Sequence, residues 1–169
     1  MRAALLTGLA WAGIMLTRLF AGGAVGLADQ GDGKRLLCTL GAGNLRPWDA
    51  NMSIHLYPTW VPHTWYGETC GADGSGEAYR STQLLLLRLA ELVNGPLGLP
   101  GVIDLRALGV VCAVLVGVVV GLLVLVVPGR TITRVAFAST IGLVFADSAF
   151  AGFFISPYAE PAGLLGLGA

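Results

Sequence analysis

Charged side chains are scarce in this 169-residue sequence: 12% of the residues are Asp, Glu, Lys or Arg, and the formal net charge is zero. That is about half the charged fraction of an average soluble domain. Together with a hydrophobic content of 55%, it favours a membrane protein over a soluble one. The basic residues include a single lysine, Lys34, and are scattered along the chain. Because no basic patch forms, we expect no nucleic-acid partner.

Several motifs of soluble enzymes are also absent. The chain has no phosphate-binding loop, no dinucleotide fingerprint and no Gly-x-Ser-x-Gly elbow. Its two histidines, His55 and His63, lack the short spacing of a structural zinc site and have no cysteine close enough to complete one. Cys38 and Cys70 lie in the polar middle of the chain. They can form a disulfide if that region is extracytoplasmic, and two free thiols are the equally weighted alternative.

Long apolar segments make up much of the chain. Residues 107–127 carry no charge and are long enough for a helix that crosses a bilayer. Residues 3–28 are interrupted only by Arg18. We interpret them as an uncleaved span, because a signal peptide would have a more basic leader and no arginine near its cleavage site. A third segment, 135–156, contains one charge, Asp147.

The arginines give these spans a direction. The short turn at 129–134 carries Arg130 and Arg134, and short arginine-bearing loops are normally cytoplasmic. The N-terminus, with Arg2, then lies inside as well. The long loop at 29–104 is therefore predicted to be extracytoplasmic.

The outer loop contains one clear helix signal. Ser81 can cap a helix that stops at Asn94-Gly95-Pro96, and Arg88 and Glu91 form an i, i+3 pair on it. The apolar run of this helix is too short to span a bilayer, so we expect it to lie in the interface or against the bundle. The rest of the loop is rich in aromatic residues, which suit the headgroup region.

These signals predict an all-α integral membrane protein with three transmembrane helices, the start of a fourth, and an extracytoplasmic loop that carries an interfacial helix. The predicted segments are a first span at 1–28, an outer loop at 29–104 with a helix at 81–94, a second span at 105–128, a cytoplasmic turn at 129–134, a third span at 135–156, and an outer turn with the start of a truncated fourth span at 157–169. The expected environment is the lipid bilayer, as a multi-pass protein of a bacterial plasma membrane. Because the sequence stops within an apolar run, we expect a fragment.

Charged residues collect at the outer membrane face on this topology. They are the acidic Asp29, Asp32, Asp147 and Glu160 and the basic Arg18, Lys34 and Arg35. Carboxylates at this depth can hold a divalent cation or act as a general base, and the basic groups can neutralise a phosphate. These are the groups needed to transfer a sugar from a lipid phosphate carrier. For Arg18, simple snorkelling to the interface is an equal alternative.

Two motifs add a family resemblance. The first is Asp29-Gln30-Gly31-Asp32-Gly33-Lys34-Arg35, directly after the first span. The second is Phe145-x-Asp147-x2-Phe150-x2-Phe153-Phe154-x-Ser156-x-Tyr158-x-Glu160-Pro161. With them the chain resembles the N-terminal part of a bacterial family of multi-spanning glycan-biosynthesis hexosyltransferases, whose members resemble the C-type glycosyltransferase fold.

The resemblance implies a reaction and a set of roles. A hexose would move from a polyprenyl-phosphate donor to a cell-envelope glycan, with Asp29 or Asp32 as the base or as ligand of a divalent cation such as Mg or Mn. Donor or phosphate binding would involve Arg18, Lys34, Arg35, Asp147, Tyr158 and Glu160. Enzymes of this fold have more spans, so we expect the 169-residue chain alone to be inactive.

Two other functions fit the same residues. A small non-enzymatic multi-pass protein would bind a partner, and the G-x-x-x-G spacing of Gly117 and Gly121 would suit helix association. A transporter fragment would place Arg18 and Asp147 along a solute path, although no internal repeat is visible. A stable complex with a partner protein would favour the former, and solute flux in sealed vesicles would favour the latter.

Overall fold

The computed structural model of the chain describes residues 1–22, 36, 39–40, 42–44, 63–66, 81–95, 102–156 and 159–168. Its helices are α1 (Arg2–Phe20), α2 (Gln83–Asn94), α3 (Leu105–Val126), α4 (Thr131–Ala146), α5 (Ser148–Ala151) and α6 (Glu160–Gly168), with a 3₁₀ helix at Gly152–Ile155. Its strands are β1 (Ala42–Asn44), β2 (His63–Tyr66) and β3 (Val102–Asp104).

Helix α3 is the central element of the bundle. It has 22 residues, so it is about 33 Å long and can cross the hydrocarbon core of a bilayer. Asp104 caps its start, with Oδ1 accepting the backbone N–H of Arg106 at 2.8 Å. Its end is followed by a turn in which Gly129 has a φ of +124°, a conformation that favours glycine. Mean hydropathy reaches 3.1 within the helix.

Helix α1 packs against α3 through small residues, in the antiparallel direction. A Cβ atom added to Gly121 would lie 3.2 Å from the carbonyl oxygen of Ala4, and one added to Gly117 would lie 2.8 Å from Cβ of Ala12. Small side chains let two helix backbones approach this closely, which is a common way to pack helices in membranes. The G-x-x-x-G spacing on α3 is therefore used inside the chain.

Helix α4 runs parallel to α1 and completes a three-helix bundle. The indole Nε1–H of Trp11 donates to Oγ of Ser139 at 3.2 Å, and the indole ring lies directly over Gly142, where an added Cβ would come within 2.5 Å. Helices α1 and α4 therefore begin at the same end of the bundle and α3 ends there. The three helices therefore alternate in direction.

The third apolar segment is not one straight helix. Helix α4 ends at Ala146, and α5 with the 3₁₀ helix continues to Ile155 after a bend of 60° at Asp147. Within the described residues, two helices are long and apolar enough to cross a membrane, or three spans result if the bent pair counts as one. The prediction of a helical membrane protein is confirmed, whereas the third predicted span is broken.

A small sheet and α2 adjoin the start of α3. The strands are antiparallel in the order β1-β2-β3, with Ala42 opposite Tyr66 and His63 opposite Asp104. The sequence analysis predicted no strand in this region. Helix α2 corresponds to the predicted helix at 81–94 and begins slightly later, with the hydroxyl of Ser81 accepting the backbone N–H of Gln83 at 3.2 Å.

Candidate functional site

Asp147 forms the break between α4 and α5. Its backbone is extended, with φ −61° and ψ 144°, and its Oδ1 accepts the backbone N–H of Ala149 at 2.8 Å. Aspartate is a favoured N-cap because its carboxylate satisfies an N–H group that the new helix leaves unpaired. The side chain is exposed on the surface of the described residues. The carboxylate is thus stabilised locally and still accessible to a ligand.

Arg18 lies beside this break. It is in the last turn of α1, and its Nε–H donates to the carbonyl oxygen of Ala146 at 3.3 Å. The C-terminal ends of α1 and α4 therefore meet at one guanidinium group, and helix C-termini favour cations. Among the residues that the structure describes, no carboxylate forms an ion pair with Arg18. The guanidinium keeps N–H donors for a ligand, next to the residue that precedes Asp147.

Apolar side chains pack on both sides of this break. Phe145 and Phe154 meet edge to face, with ring centroids 6.2 Å apart, and Phe154 is fully buried. The ring of Phe20 and the side chain of Ile155 pack directly on Gly109 of α3. A Cβ atom added to Gly109 would lie 3.0 Å from the Phe20 ring and 2.9 Å from Ile155. The break at Asp147 is therefore held by packing on both sides of the bend.

Helix α6 brings Glu160 to the same end of the bundle. Its N-terminal turn is fixed by Gln83, whose Oε1 accepts the backbone N–H of Ala162 at 3.1 Å. Gln83 is fully buried. Glu160 is exposed in the first turn of α6, where the helix dipole favours an anion. The structure gives no direct contact from Glu160 to Arg18 or Asp147.

An ion pair that the sequence analysis missed also lies at this end. Both carboxylate oxygens of Asp104 accept hydrogen bonds from the guanidinium of Arg106, and Asp104 is 1% exposed. Asp directly before an apolar run is an N-cap signal, and a basic residue two positions later could have indicated the pair. Its two charges satisfy each other, so this pair fixes the start of α3.

All of the other predicted site residues lie outside the described part of the chain. These are Asp29, Asp32, Lys34, Arg35 and Tyr158, together with Cys38 and Cys70 of the predicted disulfide. Within the described part, no group of three or more His, Cys, Asp or Glu residues could hold a metal ion. Of the predicted set, the structure therefore places Arg18 against Ala146, the residue before Asp147, and leaves Glu160 separate.

Comparison with known families identifies the domain. The chain matches the model of the YfdI N-terminal transmembrane domain over residues 1–167. It belongs to this family. No curated protein and no solved structure matches the chain.

Membership of the YfdI N-terminal transmembrane domain family supports the membrane prediction over nearly the whole chain. The apolar faces of the described helices agree with it: Leu5 and Leu6 on α1 are 65% and 66% exposed, and Leu143 on α4 is 63% exposed. Leucine side chains with so large an exposed fraction are suited to contact with lipid chains. The chain is therefore a helical domain of a membrane protein, and the hexosyl transfer and the bacterial plasma membrane stay predictions.

Proposed function

We propose that this YfdI-type domain is the N-terminal part of an integral-membrane glycosyltransferase, which moves a hexose from a polyprenyl-phosphate donor to a cell-envelope glycan. The end of the bundle that carries Arg18 and Asp147 binds the donor. The observation that carries this proposal is the hydrogen bond from Arg18 Nε to the carbonyl oxygen of Ala146. It holds a cation beside a carboxylate at the end of two membrane helices.

The charge arrangement suits a lipid phosphate. A phosphate group on a polyprenyl chain lies near the membrane surface, with its chain in the bilayer. An exposed guanidinium can bind phosphate oxygens through two parallel N–H groups. Arg18 offers such a group at the end of α1. Ile14, one turn earlier on the same helix, is 46% exposed, and a long isoprenoid chain can lie against it while the phosphate reaches Arg18.

The break at Asp147 supports the same proposal. Broken helices occur at membrane depth where the irregular backbone lines a binding cavity. Asp147 can hydrogen-bond a sugar hydroxyl or contribute to a cation site, because its carboxylate has four lone-pair positions and uses one on Ala149. Asp147 provides oxygen donors of the kind that Mg or Mn prefers. One such residue is too few for a complete site, so Asp29 or Asp32 would supply the remaining donors.

The alternative of a partner-binding membrane protein loses its main support. That hypothesis used Gly117 and Gly121 as a surface for another helix, whereas both residues pack against α1 of the same chain. A solute path between Arg18 and Asp147 has no support either, because both residues lie at one end of the bundle. Sugar transfer therefore fits the described residues better than either alternative.

A transfer assay with the full-length protein that contains this domain tests the proposed function. Membranes are incubated with a radiolabelled polyprenyl-phosphate hexose, and label in the envelope glycan is measured. We expect Asp29→Asn or Asp32→Asn to lower the rate by about 100-fold or more, as loss of a general base does. Asp147→Asn should raise the apparent KM for the donor by about tenfold, because one charged hydrogen bond is lost.

A matched variant separates this effect from general damage. Glu91→Gln changes another carboxylate, which pairs with Arg88 on α2 at 2.8 Å, and it should leave the rate of transfer unchanged. Membrane insertion of every variant is measured by alkaline extraction. Normal transfer in both the Asp29 and the Asp32 variants would contradict the proposed function.

A further inference from the structure

The end of the bundle opposite Arg18 and Asp147 is strongly basic. Helices α1 and α4 begin there, and the nearby chain carries Arg2, Arg130 and Arg134. Residues 1–28 and 105–146, which include the described helices that reach this end, contain no acidic residue. An uncompensated set of arginines at a membrane surface attracts anionic groups.

A cleft opens among these helix ends. Its volume is about 70 Å³. The lining residues include Met1, Ala4, Val124, Leu125, Thr131 and Arg134. Alanine, valine and leucine side chains form one part of this lining, and a hydroxyl and a guanidinium group form the other. A ligand that fits this lining has an apolar part and an anionic, hydrogen-bonding part.

Two helix N-termini point at this end of the bundle. The N-caps of α1 and α4 are Met1 and Arg130, and neither makes a side-chain capping hydrogen bond. Neither helix has an acidic residue in its first turn. Their first backbone N–H groups are therefore available, and with the helix dipoles they favour an anion. The C-terminal carbonyls of α3 lie at the same end and oppose this effect. In the turn between α3 and α4, the Gly129 carbonyl accepts a hydrogen bond from Arg134 Nε at 2.8 Å.

That hydrogen bond also orients Arg134. The guanidinium is held against the turn by Nε, and its two Nη groups have no hydrogen-bond partner among the described residues. Thr131 lies one turn earlier on the same helix and lines the same cleft. A phosphate could accept hydrogen bonds from both side chains and from the backbone of α4.

We propose that this cleft binds the phosphate headgroup of an anionic membrane lipid, with Arg134 as the principal contact and Arg2 and Arg130 as supporting charges. The apolar surroundings select a lipid rather than free phosphate. Val126 and Ile132 are 70% and 78% exposed beside the cleft, and they can contact the acyl chains of a lipid whose headgroup is bound by Arg134. This site is separate from the proposed donor site and does not depend on sugar transfer.

Native mass spectrometry of the purified chain tests the proposal. The chain is released from mixed micelles that contain phosphatidylglycerol and phosphatidylcholine in known ratios, and the ratio of bound lipids is measured. We expect a preference for phosphatidylglycerol. Arg134→Gln should lower this preference about fivefold, the effect of removing one basic residue near an anionic lipid surface. The additional changes Arg2→Gln and Arg130→Gln should remove the preference.

Two variants make the result specific. Arg88→Gln removes an arginine that pairs with Glu91 on α2, at the other end of the bundle, and should leave the lipid preference unchanged. Arg134→Lys retains the charge and should keep most of the preference, which shows that the loss in Arg134→Gln is not caused by misfolding. The proposal is overturned by an unchanged preference in Arg134→Gln, by an equal loss in Arg88→Gln, or by displacement of the lipid with millimolar inorganic phosphate.

Discussion

Gly8 on α1 and Gly117 on α3 lie in backbone contact. A Cβ atom added to Gly8 would lie 2.7 Å from the carbonyl oxygen of Gly117, and one added to Gly117 would lie 2.6 Å from that of Gly8. Neither position can carry a side chain unless the helices separate. This crossing fixes the relative position of α1 and α3, and therefore where the last turn of α1 delivers Arg18.

Gly117→Val should weaken the bundle. The added side chain meets backbone atoms of α1, which cannot rotate away, so the free energy of unfolding should fall by about 1 to 3 kcal/mol. Denaturant titration in detergent micelles, followed by circular dichroism, measures this change. Gly13→Ala is the matched control, because no atom lies within 4 Å of its added Cβ, and its effect should stay within about 1 kcal/mol. Equal stability of Gly117→Val and Gly13→Ala would contradict the described crossing.

The hydrogen bond between Trp11 and Ser139 can be measured by a double-mutant cycle. Trp11→Phe and Ser139→Ala each remove one partner of the 3.2 Å contact. Hydrogen bonds between membrane helices contribute about 0.6 kcal/mol on average, so we expect a coupling free energy of that size from unfolding titrations. Additive effects of the two substitutions would show that the bond does not stabilise the contact between α1 and α4.

Gln83→Leu should release the start of α6. The side-chain oxygen of Gln83 on α2 accepts a hydrogen bond from the backbone N–H of Ala162 in α6. Loss of this bond, worth about 1 kcal/mol, should make local opening of α6 about fivefold more frequent. Hydrogen–deuterium exchange at residues 160–168 measures this opening. Leu85→Ala changes an exposed residue of the same helix, 67% accessible, and should leave exchange in α6 unchanged. Equal protection in Gln83→Leu and the native chain would show that other contacts hold α6.

Continuous apolar runs and their flanking residues made part of this fold predictable. Helix α3 follows from an uncharged segment of bilayer length with Asp104 before it and Gly129 after it. Helix α2 follows from its apolar spacing, and the predicted pair of Arg88 and Glu91 is confirmed at 2.8 Å. These signals are local, so the sequence alone carries them.

The break and the sheet depend on tertiary contacts. An aspartate within an apolar segment indicates either an intramembrane charge or the cap of a new helix, and the structure shows that Asp147 is such a cap. The strand His63–Tyr66 pairs with chain segments about twenty and forty residues away, and its four residues are too few to show strand alternation. The contact of Arg18 with Ala146 joins residues 128 positions apart, and only the packing of α1 against α4 determines it.

Donor binding at Arg18 is the central claim and can be measured directly. The purified chain is placed in nanodiscs, and the Kd for a fluorescent polyprenyl phosphate is determined. We expect Arg18→Gln to weaken binding by about tenfold through loss of a charge-assisted hydrogen bond, while Arg88→Gln leaves the Kd unchanged. Binding to Arg18→Gln that is as tight as to the native chain would contradict the assignment of this end of the bundle as the donor site.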